Sequence, residues 1–188
     1  NPLAPAVSRW PPSDEPLAPP AGPALLPQTV GTSFKGIGSS ESGFIPPDSM
    51  GDIGPTQIVM AENGRIKVFD RAGNLGSLNV TDATFWTSVA NGSQPSDPEV
   101  RYDRLSGRWI VLAINTTTPN RVMIAFTAPN ATITGSASFT FTQFSGGTGS
   151  DASCLADYPS LGVDQNALYI GANMFCPSYT HSNVWVVP

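Results

Sequence analysis

The chain has 188 residues, enough for a packed core in one or two domains. Hydrophobic residues make up 40% of it, yet no apolar run approaches the roughly 18 residues that a membrane-crossing helix requires. A net charge of −5 argues against nucleic acid and anionic membrane surfaces as partners, and 18 glycines with 19 prolines indicate strands and turns.

Residues 1–30 are rich in Pro and Ala, a composition that excludes helix interiors and central strands and favours an extended polyproline arm. Residues 32–37 are too short for a repeat unit; they, or the part of the arm just before them, suit an N-terminal strand that closes a ring of sheets. From residue 31 onward the chain reads as strands. Asp48 leads a short strand, followed by an apolar strand over 57–62 that runs to Asn63 and a third strand over 65–70.

The same order returns twice. Asp97 leads a strand over 98–103, a Ser106-Gly107 turn and the continuous apolar run Trp109-Ile-Val-Leu-Ala-Ile114, which ends at Asn115 and should be buried on both faces. Strands over 121–127 and 138–144 follow. Asp157 then leads a third copy, with strands over 167–172, ending near Asn173, and 183–187. The leading aspartates are 49 and 60 residues apart, a spacing that suits propeller blades better than a β-sandwich. The sequence thus predicts an all-β protein of about three four-stranded antiparallel blades, near 44–90, 96–145 and 155–188. Three blades do not close a ring, so the remainder is expected from another chain or a cleaved segment.

The segments PPDSMGDIGP, DPEVRYDRLSGRW and DYPSLGVDQNALYIGANMF resemble blades of large secreted bacterial propeller proteins. The Asp-Pro opening of DPEVRYD is also similar to sialidase-like and related glycoside hydrolase propellers. This resemblance implies a secreted propeller that binds a glycan or protein, or alternatively degrades a glycan. The sialidase Asp box (Ser-x-Asp-x-Gly-x-x-Trp) does not occur in the chain.

In a propeller, loops entering first strands and leaving second strands share one face. Asp48, Asp97 and Asp157, with Asn63, Asn115 and Asn173, should therefore ring one rim. Such a ring can hold Ca²⁺ through oxygen ligands, bind sugar hydroxyls, or supply acids for glycoside hydrolysis. It can equally satisfy the loops' own backbone. Candidate acids are Asp97, Glu99 and Asp157; Glu99 stands out because Met50 and Pro159 occupy the corresponding places. Asn115 and Asn173 are candidate ligand contacts. Trp86 and Tyr158 are candidate sugar platforms, whereas Trp109 and Tyr169 fall in strands expected to be buried.

Cys154 and Cys176, flanking the second strand of the third copy, read as a disulfide and hence as a mark of a secreted protein. The single histidine, His181, reads as a solvated loop residue. Four glycosylation sequons, at Asn79, Asn91, Asn115 and Asn130, are a mild excess over chance.

Overall fold

A computed structural model describes residues 29–188; all but the last two residues of the Pro/Ala-rich arm lie outside that range. The described residues are all-β, in three antiparallel sheets that follow one another along the chain. The first comprises β1 (Met50–Ile53), β2 (Gln57–Glu62), β3 (Arg65–Asp70) and β4 (Leu75–Val80). The second comprises β5 (Pro95–Asp103), β6 (Arg108–Asn115), β7 (Arg121–Thr127) and β8 (Phe139–Ser145). The third has three strands, β9 (Leu155–Val163), β10 (Leu168–Phe175) and β11 (Tyr179–Val187). Each sheet is a simple meander, β1 lies against β5, and β5 lies against β9. Meanders stacked through their innermost strands are propeller blades.

β6 shows why the stack holds together. Its run has no polar alternation because both faces are covered. Trp109, Val111 and Ala113 pack with Val59, Ile66 and Val68 of the first blade. Ile110, Leu112 and Ile114 pack with Leu161, Ile170 and the partly buried Trp185 of the third. Each such aliphatic side chain contributes about 1.5–3 kcal/mol on burial. The turn before β6 requires Gly107, whose φ of 67° is the left-handed conformation that glycine adopts without a Cβ clash. Asp103 fixes that turn by accepting from the amides of Leu105 and Ser106.

Several elements differ from the sequence expectation. β4 went unrecognised because Leu75-Gly-Ser-Leu-Asn-Val80 buries only Leu78 and so carries no alternating pattern. Two helical turns, α1 (Asp82–Phe85) and α2 (Thr87–Ala90), connect the first two blades, with Thr81 capping the first through a bond from the Thr84 amide. Residues 32–37 form no strand. They lie on the first blade instead, where Phe34 and Phe69 have ring centroids 5.0 Å apart and Lys67 Nζ donates to the Gly36 carbonyl. Trp86 is not a surface platform: it is 1% exposed and meets Phe85 and Phe141 edge-on in the core. Tyr169, expected to be buried, is 37% exposed and donates its hydroxyl to Asp164. His181 belongs to β11 and not to a loop.

A disulfide joins Cys154, just before β9, to Cys176, just after β10. No helix among the described residues is long and apolar enough to cross a membrane.

Candidate functional site

Just before or within the first strand of each blade, one residue that is not glycine takes a left-handed conformation. These residues are Asp48 (φ 46°), Asp97 (φ 53°) and Tyr158 (φ 50°). Asp tolerates that conformation; for a bulky aromatic residue it is strained. In the second and third blades this residue lies in a bulge. Ser96 pairs Ile114 while Glu99 pairs Leu112, and Asp157 pairs Asn173 while Ser160 pairs Gly171, so two residues oppose one in each case. Counted from these left-handed residues, Met50, Glu99 and Ser160 correspond. Pro159 is not the counterpart of Glu99, and Asp157 sits one residue ahead of the place that Asp48 and Asp97 occupy.

Despite this slip, the three aspartates meet at one mouth. Asp48 Oδ2 accepts from Asn63 Nδ2 at 2.7 Å. Asn63 Oδ1 accepts from the Asp97 amide at 2.8 Å. Asp97 in turn accepts from the Ser96 hydroxyl at 3.0 Å and, across the blade boundary, from the Tyr158 amide at 3.1 Å. Burial raises the Asp48 carboxyl above its ordinary range, and the Asp97 charge raises it further. Burial raises Asp157 too, followed by the charge of Asp97 and direct contact with its carboxylate. Asp97 thus lies between the other two, and crowding makes a proton at either neighbour favourable.

Glu99 stands beside this group, half-buried. Desolvation raises its pKa, opposed by the Arg101 guanidinium 2.9 Å away. A cavity of about 130 Å³ opens between these residues, lined by Asp48, Ser49, Met50, Asp97, Glu99 and Tyr158 among others. Tyr158 is 61% exposed.

Other candidates do not join the site. Asn115 is fully buried, and its amide is engaged within the β6–β7 connection, donating to the Pro119 carbonyl and accepting from the Arg121 amide. It therefore offers no ligand contact. Asn173 pairs with Asp157 and accepts from the Ser182 hydroxyl at 3.3 Å. Among the described residues, the three metal-capable ligand atoms that fall within 4.8 Å of one another belong to Asp151, Cys154 and Cys176 and not to the three aspartates of the mouth. Sequence reasoning missed Asp52, whose Oδ2 accepts from the Tyr102 amide of the next blade at 2.8 Å. Its signal is the second aspartate of PDSMGDIGP, which has no counterpart in the other repeats.

No family model matches the sequence, and no curated protein matches it. Among solved structures, the chain is similar to an exo-β-1,3-galactanase from Phanerochaete chrysosporium crystallised with β-1,3-galactotriose. The identity is 10% and the TM-score 0.41, over 74% of this chain and 38% of that one. The chain thus spans well under half the length of that enzyme.

Proposed function

We propose that the chain is part of a secreted β-propeller that binds a glycan at the mouth where Asp48, Asp97 and Asp157 converge. The observation that supports this most is the exposed Tyr158 ring, held in a strained conformation beside a carboxylate-lined cavity. An aromatic face stacks on the apolar side of a sugar ring, while carboxylates accept its hydroxyls. The disulfide supports secretion. Further blades, from another chain or a cleaved segment, would complete the ring around this mouth. Ca²⁺ would aid sugar binding here only through ligand atoms contributed by those blades.

Hydrolysis of the glycan is the second reading. It is favoured by the raised carboxyls of Asp48 and Asp157, which draw toward the proton-holding state that a general acid needs. Asp97 and Glu99 would then be the partner acids. A glycan array on the 188-residue chain, run beside hydrolysis assays on the bound sugars, tests both. Binding that disappears in Tyr158→Ala without turnover in the parent supports the lectin-like role. Turnover abolished by Asp97→Asn in a folded protein replaces it with the hydrolase, and absence of both signals rejects the glycan assignment.

A further inference from the structure

The disulfide belongs to a cluster that the mouth does not use. The 3-10 turn Gly149–Asp151 leads to Cys154, whose amide donates to the Asp151 carbonyl at 2.8 Å. Asp151 and Cys154 therefore project from one turn, three residues apart. One ligand atom from each of Asp151, Cys154 and Cys176 lies within 4.8 Å of the others. His181 Nε2 is 3.2 Å from Asp151 Oδ2, and His181 Nδ1 is 2.9 Å from the Thr180 hydroxyl. The separation Asp-x2-Cys falls in the range found for neighbouring zinc ligands. Cys154 is buried, and the side chains of Asp151 and His181 are 24% and 40% exposed, so the cluster is shielded yet reachable.

We propose that reduction of the Cys154–Cys176 disulfide converts this cluster into a Zn²⁺ site. The two thiolates and the Asp151 carboxylate are the protein ligands, and a water completes the tetrahedron. His181 acts as a positioning residue that holds the carboxylate, in the manner of a carboxylate–histidine pair. Sulfur donors select Zn²⁺ over Ca²⁺, which prefers oxygen. The reductant is a dithiol. Its thiolate attacks Sγ of the partly buried Cys176, the more accessible of the two, the S–S bond breaks, and Cys154 leaves as a thiolate. The second thiol of the reductant then displaces Cys176 and closes the reductant's own disulfide. Two electrons pass to the protein sulfurs, and Zn²⁺ displaces any proton that they hold. Metal and disulfide exclude each other, so occupancy reports the redox state.

The test uses the 188-residue chain reduced with a phosphine and freed of excess reductant without air, with Co²⁺ and Zn²⁺ as the probes. Reduced protein should bind one Co²⁺ with a thiolate-to-metal charge-transfer band that Zn²⁺ abolishes, and oxidised protein should show none. Asp151→Asn and His181→Ala should each weaken Zn²⁺ binding by about 10–100-fold. Cys154→Ser should remove the charge-transfer band or leave only a weak one. If reduction alone loosens the fold, Zn²⁺ should restore the near-ultraviolet circular dichroism. A reduced protein that neither shows the band nor regains its fold with Zn²⁺ overturns the proposal. Affinity unchanged by Asp151→Asn overturns it as well.

Discussion

Asp97 occupies the point where three blades make contact. It accepts the Tyr158 amide while raising the carboxyls of Asp48 and Asp157. Asp97→Asn keeps an acceptor but removes the charge, so both neighbours should titrate at lower pH, as carboxyl NMR shifts would record. The raised carboxyls also set a pH dependence. Their folded-state pKa values exceed the unfolded ones, so their penalty is full above the folded pKa and is relieved as pH falls to the unfolded value near 3.9. Asp157→Asn should therefore raise Tm by a few degrees at pH 7, a gain that vanishes at acid pH in thermal melts. Tyr158 is the converse case. Its left-handed backbone costs roughly 1–2 kcal/mol, and its ring is largely exposed. Tyr158→Gly should thus stabilise by about 1 kcal/mol in urea unfolding while removing the sugar platform.

The elements differ in how much their residues announced. β6, β7 and β3 are dense in β-branched and apolar residues, and their expected spans agree with the structure to within a residue. β4 and the first helical turns follow tertiary demands that a single strand of sequence does not carry. Their apolar residues, Leu78 and Phe85, are spaced to fill a gap between blades and not to mark a period. Phe85 shows this most clearly: its ring meets Trp86, Phe139 and Phe141 edge-on at 5.0–5.1 Å. Phe85→Ala should cost about 3–5 kcal/mol, read as a lowered denaturant midpoint with the slope unchanged. The site was legible as residue types but not as geometry. Asp48, Asp97 and Tyr158 could be named in advance. The one-residue slip in the third blade could not, because the left-handed residue there is Tyr158, which follows the aspartate that marks the motif. Trp86 and Asn115 were misplaced because a polar or amphipathic side chain next to a loop looks the same whether it serves a ligand or the interior.

For the molecule as a whole, the third blade is the least supported. It has three strands where the others have four, and β11 presents an unpaired edge among the described residues. The disulfide closes a span of 22 residues within it and should contribute about 3 kcal/mol in the chain-entropy model. Intact mass after alkylation, with and without reductant, should show both cysteines protected before reduction. Thermal melts should then show the reduced protein unfolding earlier, with Zn²⁺ offsetting part of the loss.

The backbone amides that bond to side chains across blade boundaries all belong to the later blade. Asp52 accepts from Tyr102, Asn63 from Asp97, and Asp97 from Tyr158, so the earlier blade supplies the acceptor and the later blade the amide. The array is therefore directional, like a zipper with a defined leading end. When it frays from the third blade, each lost blade frees a side chain on its neighbour but leaves that neighbour's own amide secured by the blade before it. Hydrogen exchange should accordingly proceed in sequence, with the Tyr158 amide exchanging first and those of Asp97 and Tyr102 later.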